Sequence, residues 1–284
     1  MKFVDIKNDI AFRKIFGNSN KKEILISFLN AILELEGDKK INSVTILNPF
    51  QLPELIQYKT TVIDVKATDQ NDNYYIIEMQ VADKGNFDKR IQYYSSKAYG
   101  LQIVKGDNYH LLNPTIFIGI LNFNFLESTT YVTKHIMCNP DTKERVLKDF
   151  EYNFIELLKF KKDILNCTTL VDKWIYFIKN AENLEVIPDG INDKGLNQAY
   201  SDADQMSWTQ KEMELYDYAK MRERDAIEER EKAFFSGVEK GMENEKIETV
   251  KKCISQGLPN DLINKLTDIS VDFIEEIRTN MNNK

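Results

Sequence analysis

With 284 residues, 42% of them hydrophobic and 29% charged, the chain is long enough for one large domain plus an appendage. Two histidines, His110 and His135, are too few for a His-rich metal site, and three cysteines without CxxC spacing, Cys138, Cys167 and Cys253, exclude a disulfide framework and read as buried thiols. A net charge of −7 is unfavourable for phosphate binding; no run is apolar enough to be a secretory or membrane segment, so a cytoplasmic protein is expected.

Ile10–Phe16 and Ile24–Leu35 carry apolar residues at helical spacing, with Ser19 or Asn20 as a cap between them. Val44–Leu47 reads as a short strand ended by Asn48-Pro49 and followed by a loop containing Pro53. In Thr60–Thr68, Ile63, Val65 and Ala67 alternate with Val62, Asp64 and Lys66. After the turn-forming run Asp69–Asn73, Tyr74–Ala82 alternates again, with Tyr75, Ile77, Met79 and Val81 opposing Tyr74, Ile76, Glu78 and Gln80. Asn86 is placed to cap a helix whose stripe, Phe87, Ile91, Tyr94, Ala98 and Leu101, should pack on the sheet's apolar side. Thr115–Leu121 is a continuous apolar run, typical of a strand covered on both faces.

Thr130–Met137 and Phe150–Leu157 are further strands, and Leu170, Trp174, Phe177, Ile178 and Ala181 mark another amphipathic helix. This order fits an α/β fold, a mixed sheet flanked by helices. Asp189–Asp204 is turn-rich, and beyond it Gln210–Lys252 is a charged helix in which acids and bases nearly cancel. Within that helix Phe234, Val238 and Met242 form a narrow apolar stripe, and Gly237 and Gly241 suggest a hinge or a close helix approach. Gly257 ends a helix, Pro259 starts one and Ser270 caps the last, with Leu262, Leu266, Ile269, Phe273 and Ile277 as its apolar pattern. That pattern is like a helix-turn-helix. The last helix, however, offers Asp272, Glu275 and Glu276 with one Arg278, which suits packing or oligomerisation better than base readout. The division of the chain is expected at 205/206.

The hairpin carries the chemistry. A five-residue loop over 69–73 pairs Thr68 with Tyr74 and sets Asp64 directly across from Glu78, whereas a two-residue Asn71-Asp72 loop would set it opposite Met79. Two carboxylates opposed in this way repel unless a cation lies between them or one keeps its proton. Oxygen-only ligands favour Mg²⁺ or Mn²⁺ over zinc. The plainer alternative is a pair of solvated acids on an ordinary hairpin.

Four separated motifs then occur in order: Asn8-Asp9-Ile10-Ala11-Phe12-Arg13-Lys14-Ile15-Phe16-Gly17, Ile63-Asp64-Val65, Ile77-Glu78-Met79-Gln80 and Arg90-x-x-Tyr93-Tyr94. Over roughly residues 3–245 the series resembles the Rpn family, recombination-promoting nucleases also described as PD-(D/E)XK nuclease family transposases. The resemblance implies a restriction-endonuclease-like αβββαβ core over 1–205 that cuts DNA with Mg²⁺, followed by a helical C-terminal extension over 206–284. It implies metal ligation by Asp64, Glu78 and the Met79 carbonyl, with Gln80 where the wider superfamily usually has lysine. A neutral amide orients water but brings no positive charge. Lys66, on the same strand face as Asp64, is a candidate for that charge against the plainer reading of a solvated edge lysine. Asp9 is a candidate auxiliary acid and Tyr93 a candidate phosphate contact. Lys21, Lys22, Lys84, Lys89, Arg90 and Lys97 are the local positive charges available for DNA. The biology implied is DNA exchange and mobile-element or phage-related work in bacteria. Two further readings are a DNA-binding or assembly protein that keeps the nuclease fold without efficient cleavage, and a helical scaffold, homo-oligomeric through its C-terminal helices.

Overall fold

A computed structural model describes residues 1–48, 50–51, 61–83 and 85–282, so Lys84 and the Pro53 loop lie outside the described residues. The chain divides into two compact units, Met1–Ala219 and Lys220–Lys284. The division between these units falls within the long charged helix. No helix among the described residues is long and apolar enough to cross a membrane.

The first unit is built on a six-stranded mixed sheet. Its strands are β1 (Val44–Leu47), β4 (Val65–Asp69), β5 (Tyr74–Gln80), β6 (Thr115–Leu121), β7 (Val132–Ile136) and β8 (Phe150–Glu156), in the order β1-β4-β5-β6-β8-β7. The short β2 (Phe50–Gln51) and β3 (Thr61–Val62) pair only with each other. β5, β6 and β8 run parallel, while β4 and β5 form an antiparallel hairpin with Thr68 opposite Tyr74 and Val65 opposite Ile77. The loop register is therefore the five-residue one. Asp69 fixes it, because its carboxylate accepts the backbone N–H groups of Asn71 and Asn73.

Four helices cover one face: α1 (Asp9–Phe16), α2 (Lys22–Ile32), α4 (Leu170–Asn180) and α5 (Lys194–Ala203). Phe12, Phe16, Phe28, Trp174, Phe177 and Tyr200 fill the core there with Val65, Ala67, Ile77 and Met79 of the hairpin. Phe28 meets Trp174 edge-on at 5.6 Å, one contact of the aromatic chain that ties α2 to α4. Thr169 and Asp172 close α4 with a reciprocal capping box. Between α1 and α2, neither Ser19 nor Asn20 caps by its side chain; α2 starts after Lys21.

Three expectations are corrected here. Helix α3 (Phe87–Gly100) lies on the face of Glu78, not on the opposite apolar side: Phe87, Ile91 and Ala98 pack with Ile63, Ile76, Phe117, Leu121 and Phe154. Ile76 and the β6 residues make most of that face apolar too, and the other face is already filled by four helices. Asn86 precedes α3 in a left-handed conformation without a side-chain cap. Ile63 joins this second cluster because the chain bends at Asp64 and the alternation of the strand breaks there.

The turn-rich reading of Asp189–Asp204 also fails, since α5 occupies most of it. Asp193 caps the helix through Leu196 N–H, and Leu196, Ala199, Tyr200 and Ala203 form its buried stripe. The cysteines divide three ways: Cys167 is buried, Cys253 half-buried and Cys138 exposed. His110 and His135 are both exposed, His135 on the edge strand β7.

The second unit is helical. α6 (Gln210–Ser255) enters it and continues unbroken through Gly237 and Gly241, where an added Cβ would meet nothing within 4 Å among the described residues. The glycines therefore mark neither a break nor a close approach. α7 (Asn260–Thr267) and α8 (Val271–Asn282) follow. Val250, Ile254, Ile263, Ile274 and Ile277 form the core of this unit, whereas Leu262, Leu266 and Phe273 of the expected pattern are exposed. Arg278 donates to the Leu258 carbonyl and Asn260, so it is spent on packing the helical hairpin.

Helix α5 packs closely on α2 at Gly195. A Cβ there would lie 2.4 Å from the Glu23 carbonyl oxygen and 2.5 Å from Ser27 Cβ. Gly195→Ala is expected to destabilise the protein by about 1–3 kcal/mol in urea unfolding, the usual cost of overpacking. Wild-type stability in that variant would contradict the close packing of α5 on α2.

Candidate active site

The site is assembled by a break in a strand. Asp64 sits at the bend just before β4, and continuing the register beyond Val65 and Ile77 places it across from Glu78. Its Oδ2 accepts the Met79 backbone N–H at 2.9 Å, taking a donor that the interrupted ladder leaves over. Oδ1 accepts both Nε and Nη2 of Arg13, at 3.2 and 2.8 Å. Arg13 reaches it from α1, whose first turn is capped by Asn8 through the N–H groups of Ile10 and Ala11.

Glu78 is 4% exposed and Asp64 8%. Glu78 Oε2 accepts from Gln80 Nε2 at 3.1 Å, while Oε1 is buried with no hydrogen-bond partner among the described residues. Gln80 Oε1 in turn accepts Nη2 of Arg90 at 2.6 Å. Arginine only donates, so this contact fixes the amide with its oxygen toward Arg90 and its nitrogen toward Glu78. Arg90 stands on α3 with its guanidinium 5.3 Å from the Phe87 ring centre. Glu78 faces Gly119 across the parallel pair of β5 and β6, and the Phe117 and Phe154 rings occupy the place where a side chain at Gly119 would stand.

Burial pushes the Glu78 carboxyl well above the usual carboxylate range, and the charge of Asp64 adds to this, against the opposing pull of Arg90. Burial also raises Asp64, outweighing the bonds from Arg13 and Met79. Both shifts express one fact: charge held here is under-compensated.

The remaining sequence candidates take separate places. Asp9 is exposed on α1 but close enough for its charge to bear on Asp64 and Arg13. Lys66 lies with its ammonium 5.5 Å from the Tyr74 ring centre, toward the start of β5 and away from Glu78, and burial lowers its proton affinity. Tyr93 is 39% exposed, whereas burial and the charges of Glu78 and Asp64 raise the phenol of its neighbour Tyr94. Tyr94 is four residues after Arg90 and so shares its helix face. Of the expected positive stripe, Lys21 is tied to Asp202.

Arg13 and Tyr94 lie inside the motifs without being expected beside the acids, and Arg90 is expected near the site only as one of several positive charges for DNA. The available signal was chemical. Two opposed, buried carboxylates require cations near them, and Arg13 lies one helical turn past Asp9.

Among the described residues no three His, Cys, Asp or Glu side chains gather as a metal cluster. Asp64 and Glu78 alone, with backbone carbonyl and water, make up the oxygen set that Mg²⁺ commonly accepts. The unpartnered Glu78 Oε1 fits such an ion.

A mixed sheet with acids on two adjacent strands, helices on both faces and a helical C-terminal part is the fold of a PD-(D/E)XK nuclease. The description of the PD-(D/E)XK nuclease family transposases matches residues 6–233, four-fifths of the chain, and the chain belongs to that family. No curated protein and no solved structure matches it.

A carboxyl that binds protons more tightly in the folded than in the unfolded chain stabilises the fold below its unfolded pKa, and that stability is lost as pH rises toward the folded value. In EDTA, the stability of wild type should therefore fall relative to Glu78→Gln as pH rises above about 4.5, the ordinary glutamate value. At neutral pH the variant should be the more stable by about 1–3 kcal/mol, the cost of an unsatisfied buried polar group. Thermal unfolding across pH checks this, and a gap that is flat or of opposite sign would contradict it.

Proposed function

We propose that the protein is a Mg²⁺-dependent DNA endonuclease, working in DNA exchange or in mobile-element or phage-related processes. The observation that carries this reading is the buried, unpartnered Glu78 oxygen beside Asp64, both within the span that matches the family. PD-(D/E)XK nucleases generally use divalent metals. Asp64, Glu78 and the Met79 carbonyl would hold the ion, which when bound supplies Lewis acidity toward the phosphodiester.

The chain's own groups define the rest. Arg13 and the Met79 N–H fix the Asp64 carboxylate in one orientation, which is what a ligand needs before its partner arrives. Gln80 has its oxygen engaged by Arg90 and one N–H by Glu78, leaving its second N–H to donate to water or to a phosphate oxygen. It therefore orients an oxygen and takes no proton. Arg13 and Arg90 set two cations beside the acids in a chain whose net charge is −7.

The second reading, a DNA-binding or assembly protein with weak cleavage, is favoured by Gln80 in place of lysine. Self-association through the C-terminal helices is supported by Phe234, Val238 and Met242, which are exposed on α6.

Supercoiled plasmid with Mg²⁺, Mn²⁺, Ca²⁺ or EDTA separates the two readings. Wild type should nick with Mg²⁺ or Mn²⁺ only. Asp64→Asn and Glu78→Gln should each lower the single-turnover rate by about 100-fold or more while remaining folded, the scale set by loss of one group that stabilises a transition state. Metal-dependent nicking retained in both variants would overturn the site. DNA binding by wild type without metal-dependent nicking would favour the second reading.

A further inference from the structure

Position 80 lacks a charge that phosphodiester cleavage requires in its transition state, and the structure holds a cation directly against the residue that stands there. The Arg90 guanidinium is hydrogen bonded to Gln80 Oε1 at 2.6 Å, and the same amide donates to Glu78 at 3.1 Å. Lysine unites two properties in one side chain, a donor and a positive charge. Here the donor is an amide on β5 and the charge is on α3, ten residues later in the chain.

We propose that Arg90 is the positioning residue that supplies, through the Gln80 amide, the positive charge that Gln80 lacks. The inference rests on the nuclease reading above. Four points support it. The hydrogen bond polarises the amide, so that its remaining N–H, aimed away from Glu78 and Arg90, becomes a stronger donor to a phosphate oxygen. Arg90 is anchored: its guanidinium lies over Phe87, and Phe87 is locked among Phe117, Phe125 and Phe154. Its one hydrogen bond among the described residues is to this amide, while its charge also bears directly on Glu78 and Tyr94. Lys66, the other candidate for the missing charge, is held over Tyr74 instead.

A lysine introduced at position 80 would thus meet Arg90 as a like charge at hydrogen-bond distance. Gln80→Lys should impair the site rather than improve it, unless Arg90 is neutralised at the same time.

The test is a charge exchange, read by single-turnover nicking of supercoiled plasmid over a range of DNA concentrations. Arg90→Gln and Gln80→Lys should each reduce the maximal rate by about 100-fold with the half-saturating DNA concentration little changed, as expected for an interaction that matters in the transition state. The double variant Gln80→Lys/Arg90→Gln should return to within about tenfold of wild type, and Arg90→Lys should keep part of the rate. Melting temperature should stay close to wild type and Mn²⁺ binding should be retained throughout, because both carboxylates are kept, although their surroundings change through the loss of the Arg90 charge and the Gln80 contact. Full activity of Arg90→Gln, a double variant no better than the worse single one, or loss of Mn²⁺ binding in Arg90→Gln would overturn the proposal. If wild type and Asp64→Ala both fail to nick, the nuclease reading falls and this inference with it; if wild type nicks and Arg90→Gln nicks equally well, this inference alone falls.

Discussion

Water has been removed from two carboxylates that face one another across the β4–β5 hairpin, and the arrangement of the site follows from that constraint. A buried carboxylate is tolerated when its lone pairs are met by donors or its charge by a cation. Asp64 meets the requirement with Arg13 and the Met79 N–H. Glu78 meets half of it, through an amide that itself depends on Arg90, and one of its oxygens has no partner among the described residues. A fold that only needed to be stable would not place an acid there, since an apolar residue of similar shape would cost less. The arrangement makes sense as one completed by a cation.

The surrounding architecture serves the same requirement. The bend at Asp64 stops the ladder one residue before the site, turns Ile63 to the other face and frees the Met79 N–H for the Asp64 side chain. Helix α3 closes over the face of Glu78 and brings Arg90, while α1 arrives from the side of the main core and brings Arg13. Both arginines are thus carried on rigid elements whose packing is set by large aromatic contacts. Gly119, opposite Glu78, makes room for the Phe117 and Phe154 rings, which an added Cβ would meet at 3.1 Å.

The hairpin was legible in the sequence because its determinants are local. Alternation gave the strands, and Asp69, Asn71 and Asn73 gave a loop of the right length, so the proximity of Asp64, Glu78 and Gln80 followed by counting. What covers the sheet was not legible. Alternation separates two faces without saying which is buried, and here Ile76, on the nominally polar face, belongs to a second core beneath α3. Helix α5 was hidden because Asp189, Gly190, Asn192 and Asp193 are turn formers, although Asp193 serves as the helix cap. Arg13 lies 51 residues from the acid it binds and Arg90 ten from Gln80 across an intervening turn, so no spacing rule reached them.

The central claim is that the space between Asp64 and Glu78 is a divalent-cation site. The most direct measurement is anomalous diffraction from crystals of the protein grown with Mn²⁺ in place of Mg²⁺. The expected result is a manganese peak within about 2.0–2.3 Å of an oxygen from each carboxylate, with Glu78 Oε1 among its ligands. An empty site at saturating Mn²⁺, with Glu78 Oε1 still unpartnered or bonded only to water, would contradict the account.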